Sequence, residues 1–316
     1  EDIVEAAVAA GLPAMALLDR DGVCGAPRFF GAARDAGLRA RVGAEITMED
    51  GSVVPLLAAT RTGYQNLCQL ITEAKLTPRK DSSGRDDGRD LTPHAPDPRD
   101  RKRPCFATWT ELARYAEGLI ALTGDEEGPV RRAWRTAGPS AGGEALQKLA
   151  AIFGADRLYV EVQRHRRRGE QREATFLRDL AAAHGLPLLA TGGVHYARPA
   201  HRATADVFTC LRLHTTLDAA GRRLALNAER HVKSAAHLAQ LFHDLPAALE
   251  NTVRLEQRLE FTLHNLGYRF PDYTTPRGEP MPEFLRAIAY AGARHRYGTL
   301  AARVTAKIEN ELALIT

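Results

Sequence analysis

LPLLATGGVHY, Leu186 to Tyr196, is an apolar run that ends in two glycines and a histidine. The run Leu186 to Ala190 suits a strand covered on both faces, as in parallel sheets. The residues before it, FLRDLAAAHG, have helical apolar spacing and stop at Gly185. In α/β folds the carboxyl ends of strands carry ligands and catalysts, so His195 falls at a functional position. Two other strand ends look alike: AMALLDRDGV carries Asp19 and Asp21, and RARVGAE ends on Glu45. Strand tips bearing Asp, Glu and His imply a metal-centred barrel mouth.

Working outward, strand and helix patterns alternate along the first part of the chain. Strands are expected at Ala14 to Leu18, Ala40 to Val42, VVPLLAA after the turn Glu49 to Ser52, GLIALTG, RLYVEVQ and Leu186 to Ala190. Helices are expected at Ile3 to Ala10, PRFFGAARDAG, TGYQNLCQLITEA, EALQKLAAIFG and Gln171 to His184. This alternation with short links predicts a mainly parallel sheet, and so many units favour a closed barrel. From Thr77 to Pro104 the pattern lapses into KDSSGRDDGRDLTPHAPDPRDRKRP, which holds too few apolar residues for a core and reads as a surface insertion. After Tyr196 the chain turns helical, apart from the proline-rich FPDYTTPRGEPMPEF. It opens without methionine on a helical pattern and closes on an uncapped one, so further sequence is expected on both sides.

The bulk properties exclude several classes. The 316 residues are 44% hydrophobic and 26% charged, ordinary for a globular chain. No apolar run has membrane-spanning length and no secretory leader is visible. Four cysteines, none in a CxxC pair, imply no disulfide framework and a reducing, cytoplasmic setting. A net charge of +4 permits nucleic-acid contact without requiring it. There is no GxxxxGK[ST] loop, dinucleotide fingerprint or GxSxG elbow.

A barrel mouth that cleaves phosphoesters with two or three metals needs converging imidazoles and carboxylates. The candidates are Asp19, Asp21, Glu45, Asp125 and His195, with His165 as a sixth. Each also has a plainer reading. Asp19 and Asp21 flank a turn, where Asp bonds its own backbone. Glu45 and the acidic turn at Asp125 could be solvated, His165 sits in an arginine-laden loop that reads as surface, and His195 could be structural. Although the chain holds 11 histidines, only His195 stands convincingly at a motif position. Arg20, beside Asp19, would repel a metal and pair with the carboxylates. The site reads as vestigial.

Six tracts in order, ALLDRDGVCGAPRFFGAARDAGLRARVGAEI, LLAATRTGYQNLCQLIT, GLIALTG, LYVEVQRH, LLATGGVHYARPAHR and LENTVRLEQRLEF, resemble the PHP (polymerase and histidinol phosphatase) domain of bacterial C-family DNA polymerases, the error-prone branch above all. The resemblance implies a distorted (β/α)7 PHP barrel over residues 1–265, then a mostly helical connector and the start of the polymerase palm over 266–316. It places the family's first His-x-His motif before Glu1. Of the family's metal positions it retains Asp19, Glu45 and His195, while Arg20, Pro55, Asp125 and Gly193 stand where active members carry other ligands. It thus implies a scaffold with no catalytic residue and no cofactor of its own, in an error-prone DNA-directed DNA polymerase of repair and translesion synthesis. Magnesium, primer-template DNA and deoxynucleotides would engage the palm beyond Thr316, and other repair or replication proteins are expected partners. Two alternatives stand beside this: a metal-dependent PHP phosphoesterase or 3′-5′ exonuclease, and a non-catalytic DNA-binding or interaction module using Arg164 to Arg168 and Arg99 to Arg103.

Overall fold

A computed structural model describes residues 1–77, 105–264, 266 and 273–315. Nearly all of the insertion expected over 77–104, with Arg99 to Arg103, lies outside the described residues. Six strands follow in chain order: β1 (Ala14–Arg20), β2 (Arg39–Thr47), β3 (Val53–Ala58), β4 (Leu119–Leu122), β5 (Leu158–Gln163) and β6 (Leu188–Thr191). They form one sheet in the order β1-β2-β3-β4-β5-β6. The pairs β1/β2, β4/β5 and β5/β6 are parallel, whereas β3 runs antiparallel to both neighbours.

The reversal of β3 follows from the turn before it. Only Met48 to Ser52 separate β2 from β3, too few for a parallel crossover. Asp50 Oδ1 accepts from the Ser52 backbone N–H at 2.8 Å, and Gly51 takes the positive φ of +75° that the tight turn needs. The simple strand–helix repeat expected from the sequence therefore breaks at this hairpin. Six strands are described where seven were expected, and no pairing joins β6 to β1 among the described residues, so the sheet is open.

Burial tracks the strand sequences. Every residue of β3 (VVPLLA), β4 (LIAL) and β5 (LYVEVQ) is buried, as continuous apolar runs covered on both faces should be. Leu57, Ile120, Leu122, Tyr159 and Leu189 join Leu255 of helix Pro246–Arg258 and Leu259, the residue that ends it, in one core cluster. Helix Arg61–Leu76 starts on the Thr60 hydroxyl, which accepts from the Gly63 N–H at 3.1 Å. It lies so close to the start of β4 that a Cβ at Gly63 would stand 1.9 Å from the Gly118 carbonyl oxygen. The structure adds helix Pro129–Ala137, where Val130, Ala133, Trp134 and Ala137 recur at helical spacing and Arg131, 1% exposed, takes a core position beside them.

The chain divides into two compact units, Glu1–His264 and Asn265–Thr316. The second holds helices Met281–Tyr297 and Ala302–Ile315, tied by Arg286 Nη2 to Glu309 Oε1 at 2.6 Å. Among the described residues no helix is long and apolar enough to cross a membrane.

Candidate functional site

The sheet curls around a cavity of about 380 Å³ lined by residues from all six strands. Most of its wall is aliphatic, and its polar part includes Glu45, Asp125, Glu161, Gln163, His195 and Arg230, with Arg41, Lys233 and Glu256 also lining it.

The candidate residues do not all reach this cavity. Asp19 ends β1 but turns to the helix that follows, and its Oδ2 accepts from the Gly25 N–H at 2.6 Å. Gly25 is the N-cap of helix Ala26–Asp35, so this carboxylate holds a helix start. Asp21 takes a φ of +51° and grips β2, accepting from Thr47 N–H at 2.8 Å and from the Thr47 hydroxyl at 2.7 Å. Both therefore have local structural partners. Glu45, Asp125 and His195 do come together at the cavity.

Their charges are met by guanidinium groups. Arg20 Nε donates to Glu45 Oε2 at 2.9 Å, and its Nη2 to Glu127 Oε2 at 2.7 Å. Burial alone would lower the Arg20 pKa; the bond to Glu127 and the charges of Glu45 and Glu127 outweigh it and raise the pKa further. Glu45 is pushed up by burial, opposed by Arg20. Arg230 Nη2 donates to Asp125 Oδ2 at 3.2 Å and Glu126 Oε1 at 2.8 Å, and Nη1 lies 3.2 Å from His195 Nε2. Although burial alone would raise Glu126, the charges of Arg230, Arg167 and Arg131 hold it down at about 2.

The histidines are kept neutral. His195 is lowered to about 4 by burial and by the Arg230 charge. Its ring is nevertheless exposed at the mouth, where solvent screens that charge, so this shift carries no stability argument. The surface position expected for His165 is incorrect. It is 2% exposed, its Nε2 lies 3.0 Å from the Gly192 carbonyl oxygen, and burial with the Arg230 charge lowers it to about 4. Its loop is not a free basic surface either, because Arg164 pairs with Asp244 at 2.5 Å and Arg167 with Glu170 at 3.2 Å. Their carboxylate partners lie far along the chain or one helical turn on, which a local count of arginines misses.

Three cavity residues escaped the sequence reading. Glu161 and Gln163 lie two apart on one face of β5; Gln163 Nε2 donates to Glu161 Oε1 at 2.8 Å, and the Thr191 hydroxyl donates to the same oxygen. Burial, and then the negative charges of Asp125 and Glu45, raise the Glu161 pKa. Two polar side chains alternating within an otherwise apolar LYVEVQ were the available signal. Arg230, in NAERHVKS, offered none because that segment has no periodicity.

A metal cluster of the kind active members carry does not fit these residues. A guanidinium nitrogen already takes Oε2 of Glu45 and Oδ2 of Asp125, the Glu127 N–H takes Oδ1 of Asp125, and a backbone N–H engages Asp19. Pro55, with no ligating atom, faces Glu45 across the β2/β3 pair. At Gly193 a Cβ would stand 2.3 Å from Gln163 Oε1, so the glutamine fills the space a side chain there would need. Among the described residues, no group of three or more His, Cys, Asp or Glu is placed to hold a metal ion.

The curled, mixed α/β sheet gathers carboxylates and an imidazole at its strand ends. Residues 1–165 match the PHP domain family, just over half of the chain, and the chain belongs to that family. It is similar along its whole length to proteins named error-prone DNA polymerase, which places it with the PHP region of bacterial C-family polymerases. The one from Symbiobacterium thermophilum is 34% identical over 318 residues, and that from Mycolicibacterium paratuberculosis 32% over 327. The one from Pseudomonas syringae pv. tomato is 30% identical over 317 residues. The chain spans 28%, 28% and 27% of these relatives. A solved structure from Bifidobacterium adolescentis, described as a candidate metal-dependent phosphoesterase, aligns over 60% of this chain and 80% of that one. It does so at 18% identity and a TM-score of 0.36, too low to carry an argument.

Proposed function

We propose that this chain is the PHP region of an error-prone DNA-directed DNA polymerase serving repair and translesion synthesis, and that its barrel mouth is a metal-free scaffold. The observation that carries the scaffold reading is the pair of guanidiniums, Arg20 and Arg230, which form ion pairs with Glu45, Glu127, Asp125 and Glu126, with Arg167 and Arg131 adding their charge at Glu126. Fixed cations among the carboxylates supply positive charge where bound metals would, and each takes an oxygen that a metal would need. Glu161, whose pKa burial raises, lies in the same cavity wall beside Gln163. Nucleotidyl transfer, with its magnesium, primer-template and deoxynucleotides, belongs on this reading to the parts of the polymerase that this chain does not span.

The test is elemental analysis of the full-length polymerase after dialysis against manganese and zinc, with a phosphodiesterase assay on the same samples. Substoichiometric metal and no PHP-dependent cleavage are expected. Tightly held ions, lost with Glu45→Ala or His195→Ala together with cleavage, would overturn the scaffold reading and favour a phosphoesterase.

A further inference from the structure

Helix Arg202–Arg212 carries its polarity inside out. Arg202 and Asp206 form an ion pair at 3.3 Å, with Asp206 at 15% side-chain exposure. The Thr209 hydroxyl donates to the Ala205 carbonyl at 2.9 Å, and Cys210 is the buried residue of the helix. The inner side also anchors the returning chain, since Arg202 Nη2 donates to the Ala225 carbonyl at 2.7 Å. The outer side, by contrast, shows Val207, Phe208 and Leu211, with Phe208 66% and Leu211 64% exposed. Leu211 stands four positions after Val207 and three after Phe208, so it neighbours both on the helix surface.

A surface helix normally turns its apolar stripe to its own core, and a contiguous apolar patch left in solvent marks an interaction site. Here the next short helix, Leu217–Ala220, packs on Arg202–Arg212 and adds exposed Leu217. Exposed Arg212 follows Leu211, and exposed Arg222 and Arg223 lie in the turn Gly221–Arg223 directly after the short helix that packs on Arg202–Arg212; none of the three forms an ion pair among the described residues, and Asp218 is the acid of the short helix. The border is therefore positive and calls for an acidic counterpart.

We infer that the face made by Val207, Phe208 and Leu211, bordered by Arg212, Arg222 and Arg223, is the seat on which the rest of the polymerase chain packs. The occupant presents an apolar surface with acidic groups around it. This rests on the reading of the chain as one region of a longer polymerase, whose relatives it spans to only 28%. A long partner in the same polypeptide explains why an inverted helix is tolerated: the stripe is outward only with respect to this region.

The test uses full-length polymerase carrying Phe208→p-benzoylphenylalanine, irradiated and mapped by mass spectrometry. The expected result is an intramolecular cross-link to a segment beyond residue 316. The paired change Arg222→Glu and Arg223→Glu should lower its yield by about threefold or more at low salt, because like charges then face the acidic border. A cross-link to a second copy, to a separate protein, or to no protein at all overturns the inference. In parallel, Phe208→Asp with Leu211→Asp should speed amide exchange across 202–226 roughly tenfold or more, leaving β3 to β5 unchanged. Unchanged exchange at 202–226 counts against the seat. The metal content of the mouth is independent of both readouts, so failure here and failure of the scaffold reading are distinguishable.

Discussion

Replacing Arg230 by Met tests the electrostatic core of the site. The substitution keeps most of the aliphatic volume while removing bonds to Asp125, Glu126 and the His195 ring. The side chains of Arg230 and Glu126 are 10% and 29% exposed, so solvent replaces little of what is lost. Glu126 is held at about 2 against an ordinary 4.5, and 4.5 − 2 = 2.5 units at 1.36 kcal/mol each gives about 3.4 kcal/mol of net stabilisation of the ionised form, after the opposing effect of burial. Arg230 shares that sum with Arg167 and Arg131, so its removal should cost about 2 kcal/mol, and some 3–5 kcal/mol if Asp125 is left uncompensated as well. For a unit of this size that lowers Tm by about 4–10 °C.

The sign with pH is fixed by the direction of the shift. A carboxylate depressed in the folded state stabilises fully above its unfolded value, and that contribution is lost as pH falls through the folded one. The gap between wild type and Arg230→Met should thus be full at neutrality, begin to narrow below pH 6.5 as His165 without the Arg230 charge takes up its proton more readily, and shrink further toward pH 2. Urea unfolding across pH 3–8 reads it directly. A gap below about 0.5 kcal/mol, the level of ordinary surface substitutions, would refute the reasoning, as would one that grows on acidification.

Other expectations follow from neighbouring contacts. His165, lowered from 6.5 to about 4 by burial, should make wild type lose about 3 kcal/mol between pH 6.5 and pH 4, because only the unfolded ring takes up the proton there. In His165→Gln that pH slope should vanish in the same unfolding series, and a retained slope argues against a buried neutral ring. Gly193→Asp should destabilise by about 1–3 kcal/mol through overlap with Gln163, and Gln163→Ala should recover part of it in thermal melts; no recovery means the clash lies elsewhere. Gly63→Ala drives a methyl into the Gly118 carbonyl and should cost about 3 kcal/mol or more, measured against the permissive Gly31→Ala on an open helix face.

Much of the sheet was legible because its signals are local. Continuous apolar runs such as LIAL and LPLLA declare strands whatever surrounds them, and helix FLRDLAAAHG announces its own stop at Gly185. The resemblance, too, was carried by linear tracts. Arg20 beside Asp19 already foretold that a guanidinium would compete for the carboxylates, since fixed charge follows from residue type. Tertiary structure decided which carboxylates belong to the site, because a strand-end Asp can turn toward a helix start or toward a cavity. Asp19 and Asp21 turn to backbone N–H groups, while Glu45 and Asp125 face Arg20 and Arg230. Arg230 stands 105 residues from Asp125, and Glu161 acquires its raised pKa only once strands enclose it. The linear chain fixes the kinds of charge present, but energies between charges depend on distance and dielectric, and those exist only after folding.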